Sequence, residues 1–122
     1  MTLAHVHRLT EAGAPEEAEV AAPKLVAGSG FTRTWNGYSD GRFHAGLWSH
    51  GPGVLAVDYT ETELCVLLEG RVRLASDEGS VEYEEGDAFV IAPGFRGTWE
   101  SVGRVTKAYA ILDPSDSGAP AS

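Results

Sequence analysis

Gly51–Glu100 reads GPGVLAVDYTETELCVLLEGRVRLASDEGSVEYEEGDAFVIAPGFRGTWE, and its rhythm decides the fold class. Leu64–Leu68 is a nearly continuous apolar run closed by Glu69-Gly70. Arg71-Val72-Arg73-Leu74 alternates charged and aliphatic residues, the period of a strand with one wet face. Asp77-Glu78-Gly79-Ser80 then turns the chain and Val81–Glu84 alternates again, which predicts a hairpin. Glu85-Gly86-Asp87 turns it once more and releases Ala88–Ala92 into a buried run that stops at Pro93-Gly94. Short strands at this spacing, with glycine at almost every corner, predict an all-β sandwich or barrel.

The pattern continues outward on both sides. Gly51-Pro52-Gly53 is a tight turn into Val54–Tyr59, and Arg104–Leu112 is the closing strand. Phe43–Ser49 (FHAGLWS) is a strand whose Gly46 marks a bulge or a close backbone approach. Phe31–Trp35 is a first strand, followed by turn signals at Asn36-Gly37 and Ser39-Asp40-Gly41. Residues 1–30 carry the weakest pattern. Glu16–Ala22 suits a helical turn or two, whereas Pro15, Pro23 and Gly28-Ser29-Gly30 suit a loosely packed arm. The expected organisation is an arm over 1–30, a barrel over 31–113 and a disordered tail over 114–122.

The 122 residues suffice for one core. A net charge of −9 would repel a phosphate backbone, which argues against nucleic acid. The single cysteine, Cys65, excludes an intramolecular disulfide and fits a reducing compartment. No apolar stretch reaches membrane-spanning length, and the opening MTLAHVHRLTEAG lacks the apolar region of a signal peptide, so a cytoplasmic location is expected.

Gly51, Glu63, Gly70, Gly86-Asp87 and Pro93-Gly94 match the spacing of the two cupin motifs. The segments ELCVLLEGRV and EEGDAFVIAPGFRGTWE resemble the branch that holds the cupin domain of (S)-ureidoglycine aminohydrolase and ethanolamine-utilisation protein Q. The resemblance covers residues 43–112 and implies a single-domain cupin jelly-roll barrel, a double-stranded β-helix. In metal-dependent cupins the first motif supplies two histidines and a glutamate, and the second motif one histidine. Laid on this chain, those positions fall at Val57, Tyr59, Glu63 and Gly97, so only Glu63 matches. No metal or other cofactor is therefore expected at the usual position. A site built from His44, Glu63 and Cys65 is the alternative, with a divalent metal as cofactor. Against it, Cys65 reads equally as a buried small hydrophobe and His44 as a hydrogen-bonded wall residue. His5 and His7, two apart, share one side of a strand and read either as a metal clip or as solvated terminal histidines.

An aromatic and polar set remains. Trp48, Tyr59, Trp99 and Tyr109 sit on strands expected to line the barrel, and Lys107 shares a face with Tyr109 and Ile111. Glu63 and Lys107 are expected to pair inside, as polar anchors of a ligand pocket that also includes His44 and Cys65. The competing reading makes the aromatics plain core and turns Glu63 toward solvent. Glu82, Glu84 and Glu85 read as a solvated hairpin face with Arg71 and Arg73 across from it. Three functions follow: a non-catalytic protein binding a small polar metabolite, a structural subunit with a vestigial pocket, or an enzyme of the resembling branch. The enzyme would act on a small nitrogenous or carboxylated substrate, with Glu63 as general acid or base and Lys107, Tyr59 or His44 assisting. A homodimer is expected, its N-terminal arm covering a neighbour's edge strand.

Overall fold

Two long antiparallel strands carry the molecule. A computed structural model describes residues 3–114, and the expected tail over 114–122 lies, beyond its first residue, outside them. The strands are β1 (Glu16–Glu19), β2 (Leu25–Gly28), β3 (Phe31–Asp40), β4 (Phe43–His50), β5 (Gly53–Asp58), β6 (Thr62–Ser76), β7 (Gly79–Glu84), β8 (Ala88–Ile91) and β9 (Arg96–Leu112). Every pairing is antiparallel. One edge of β9 takes β5 and then β4, while its other edge runs along β6. The free side of β6 takes β8 and β7, so the sheet curls on itself into a jelly-roll barrel. Among the described residues there is no α-helix, only a single 3-10 turn at Ala22–Lys24. Among the described residues no helix is long and apolar enough to cross a membrane.

Several turns expected from the sequence prove to be bends inside longer strands. Glu69-Gly70 lies within β6, whose register against β9 shifts on both sides of Glu69. Gly70 has φ +91, and a Cβ there would run into the Arg104 carbonyl. A residue without a side chain therefore lets β6 fold over β9 at this bend. Asn36-Gly37 is likewise a register shift in β3, which runs on to Asp40 before the chain reverses at Gly41.

The N-terminal segment also differs from expectation. Glu16–Glu19 extends instead of coiling, because it pairs with β3. Leu25–Gly28 pairs with β5. Both strands thus add to their own chain's sheet. His5 and His7 lie outside any strand; the His7 ring packs 4.7 Å from Tyr38. The β6–β7 hairpin sets Arg71 opposite Glu84 and Arg73 opposite Glu82.

Cys65, Leu67, Val72, Leu74, Phe89, Ile91, Trp99 and Val105 form the core. A buried polar chain ties the arm to it. His50, 3% exposed, meets the Ser29 carbonyl through Nε2 and the Ser101 hydroxyl through Nδ1, each at 2.7 Å. A carbonyl only accepts, so Nε2 carries the proton. In the neutral ring Nδ1 then accepts from Ser101, which itself accepts from the Trp99 indole N–H at 3.0 Å. Burial lowers the His50 pKa below 6.5; the Ser29 hydrogen bond opposes that shift and the Lys107 charge adds to it. The unfolded chain binds this proton more readily than the folded one. Stability is therefore complete above pH 6.5 and is lost as pH falls from 6.5 toward the folded value. Urea titrations across that window should show the loss in the native protein and a flatter profile for His50→Gln. Equal slopes in both proteins would remove His50 as the cause.

Candidate functional site

The register of β6, β9, β4 and β3 lays inward-facing side chains in three rows. Glu63 stands opposite Ile111, Ile111 opposite His44, and His44 opposite Ser39. The next row runs Cys65, Tyr109, Gly46 and Asn36, and the third runs Leu67, Lys107, Trp48 and Thr34. Gly46 is needed where it stands: a Cβ would lie 2.7 Å from the Tyr109 hydroxyl and closer still to the Trp35 carbonyl. Its bare backbone lets the Tyr109 phenol cross β4 and donate to Asn36 Oδ1 at 2.8 Å.

These rows open into a cavity of about 630 Å³. At its floor Lys107 Nζ lies 2.8 Å from Glu63 Oε2, with side chains 7% and 5% exposed. Lys107 reaches along its own strand to do so, since it stands opposite Leu67 and two rows from Glu63. The ammonium sits over two indoles, 4.4 Å from the Trp48 ring centre and 4.3 Å from that of Trp99. A charge this far from water needs such a counter-ion and such polarisable faces.

Trp48, Tyr59, Tyr109 and Ile111 form the walls. Tyr59 precedes β6 and is held by backbone bonds on both sides, its N–H to the Phe95 carbonyl at 2.9 Å and its carbonyl from the Gly94 N–H at 2.8 Å. The Pro93-Gly94 turn thereby orients a wall residue. Burial and then the adjacent Glu63 carboxylate raise the Tyr59 pKa, so the phenol stays protonated. Tyr109 shifts the same way, from burial first and then Glu63.

Around the rim runs a continuous hydrogen-bond chain. Asn36 Nδ2 donates to Ser39 Oγ at 2.7 Å, Ser39 Oγ meets His44 Nδ1 at 2.9 Å, and His44 Nε2 meets Asp113 Oδ2 at 2.9 Å. Asp113 is itself held by Arg42, whose carbonyl accepts from the Asp113 N–H at 2.7 Å. Glu61 stands half-buried beside them. Burial raises its pKa, the Asp113 and Glu63 carboxylates raise it further, and Lys107 opposes them.

The structure brings Glu63, Lys107, Trp48, Tyr59, Tyr109 and His44 to one cavity and leaves two expected members out. Trp99, 2% exposed, lies beneath Trp48 as an edge-to-face partner at 5.5 Å and belongs to the core. Cys65 is fully buried, and burial pushes its thiol up to about 12. Glu16, Thr34, Asn36, Ser39, Glu61 and Asp113 join the lining without having been expected there. Glu61 had a signal, since it shares the two-residue period of Glu63 and Cys65. Asn36 and Ser39 were masked by their turn chemistry. A second groove of about 550 Å³ between β7 and β8 is lined by Tyr83, Phe89 and Phe95, with Glu78 its one ionisable carboxylate. It lacks convergent charges.

Residues 38–109 match the family described as the EutQ-like cupin domain. The chain belongs to the EutQ-like cupin family. Its fold is similar to that of a protein of unknown function of the DUF861 family from Pseudomonas syringae pv. tomato, with 26% identity over 85% of this chain and a TM-score of 0.76. This chain spans 46% of that protein, about half its length. The putative ethanolamine utilisation protein Q of Salmonella typhimurium matches 83% of this chain and 97% of its own at 14% identity and a TM-score of 0.63. The EutQ protein of Clostridium difficile matches 70% of this chain and 64% of its own at 15% identity and a TM-score of 0.62. No protein of curated function matches the sequence.

The donor set of this EutQ-like cupin does not fit the metal of metal-dependent cupins. Val57 and Gly97 stand directly opposite each other on β5 and β9 and carry no ligand atom. In the alternative set, Glu63 pairs with Lys107, Cys65 is held as a thiol, and both His44 nitrogens have protein partners. Among the described residues no three of His, Cys, Asp and Glu gather as a metal site.

Proposed function

We propose that this EutQ-like cupin binds a small polar metabolite in the barrel cavity without a metal. The observation that carries the reading is the Glu63–Lys107 ion pair on the cavity floor, beneath aromatic walls. A concave site with aromatic walls and a few fixed polar groups suits small-ligand recognition. An apolar occupant would leave the charged floor without a polar partner on the cavity side, whereas a polar one exchanges hydrogen bonds with it. The same pair counts against Glu63 as a general acid or base, because the carboxylate that would move protons is held by an ammonium. It also counts against a vestigial pocket, since packing alone needs no buried charges.

Thermal-shift screening against a library of small polar metabolites tests the reading. A stabilising compound is expected, and Trp48→Ala and Glu63→Gln should each abolish its shift. Wild-type protein that no compound shifts, or a shift that survives both substitutions, would contradict it.

A further inference from the structure

We infer that the ligand of this cavity is a small organic cation, such as a primary ammonium, held by Glu61 and Asp113 at the rim and by the aromatic wall. The inference rests on the cavity being a ligand site, as proposed above, and adds the charge of what enters it. Among the described residues Lys107 is the one lysine or arginine in the lining, and Glu63 already neutralises it at 2.8 Å. The remaining charged groups of the lining are Glu16, Glu61 and Asp113, all carboxylates, with His44 bonded to Asp113. Arg42 approaches only the Asp113 backbone carbonyl, at 3.0 Å, and does not line the cavity. Among the described residues Glu61 has no ion-pair partner although it is half-buried. An entering anion would pass three carboxylates to reach an ammonium already paired. An entering cation would relieve their mutual repulsion.

The interior already shows how it treats an ammonium. Lys107 Nζ is held by one carboxylate and two indole faces, at 4.4 Å and 4.3 Å from the ring centres. Trp48, Tyr59 and Tyr109 present further aromatic surface to the open part of the cavity, the surface over which a second cation is favoured. Glu61 supplies the carboxylate for it, as Glu63 does for Lys107.

The probe set is n-butylammonium, butyramide and butyrate, similar in size and differing in charge, titrated calorimetrically into the full chain at matched ionic strength. The ammonium alone should give saturable heat. Its affinity should fall about fivefold in Glu61→Gln, the loss expected for one partly screened charge pair. Glu61 has no ion-pair partner to lose, and burial and neighbouring carboxylates disfavour its charge, so this variant should melt no lower than the wild type. Butyrate or butyramide binding as tightly as the ammonium, or an ammonium affinity unchanged in Glu61→Gln, would overturn the cation inference. If that binding still vanishes in Trp48→Ala, the pocket itself stands. Absence of heat from all three probes would also overturn the inference, and the metabolite screen then decides the pocket separately.

Discussion

Replacing Lys107 by methionine is expected to destabilise the protein by about 3–5 kcal/mol, the magnitude for stranding one member of a buried ion pair. Both side chains are nearly inaccessible, at 7% and 5% exposure, so water cannot take over the lost contact. The two halves of the pair should not respond alike. In Glu63→Gln the ammonium keeps its place over the Trp48 and Trp99 rings. In Lys107→Met the carboxylate loses its ammonium and is left beside the Tyr59 phenol. Lys107→Met should therefore be the more damaging change, because it leaves a buried carboxylate with no cation beside it. The double variant Glu63→Gln/Lys107→Met should regain most of the loss, because it buries no unpaired charge. Urea unfolding of all four proteins gives the coupling directly. Additive effects of the two single changes would mean that the pair contributes no net coupling.

Trp99→Ala should cost a similar amount, about 3–5 kcal/mol, through a different mechanism. The indole is 2% exposed and packs on Trp48 at 5.5 Å and on Phe89 at 6.3 Å. It also donates to Ser101 and so completes the chain that holds His50. Truncation leaves a void and removes one aromatic face from Lys107. Trp99→Phe keeps an aromatic ring in the core and loses the N–H donor and part of the buried volume, so its cost should be smaller than that of Trp99→Ala. Trp48→Ala makes the informative contrast, since Trp48 is a half-buried wall residue. It should reduce stability much less than Trp99→Ala while removing the ligand response. Equal stability losses for the two tryptophans would contradict the division into core and wall.

That division was hidden from sequence reading. Trp48 and Trp99 both sit at inward positions of their strands, and a period of two distinguishes inward from outward but not shallow from deep. Depth depends on what lies beyond the ring. Trp99 is covered by Trp48 and Phe89, which belong to other strands. Cys65 shares its strand face with Glu63, yet Cys65 packs in the core cluster while Glu63 lines the cavity, where Lys107 reaches it along the neighbouring strand β9.

What the chain determines locally is the strand content and the family. Alternation in Arg71–Leu74 and Val81–Glu84, and glycines whose backbone must approach another carbonyl, are local constraints that a string of residues displays. The motif glycines, with Glu63 between them, place residues 38–109 in the EutQ-like cupins without reference to packing. Tertiary structure decided the rest. Glu16–Glu19 carries helix-forming residues, and only the edge of β3 makes it a strand, because pairing outweighs weak local propensity. Asn36 and Ser39 lie on β3, Glu61 just before β6 and Asp113 just after β9, and no spacing connects Ser39 with Asp113. They meet because β3, β4 and β9 lie side by side, so the rim of the cavity exists only once the sheet has closed.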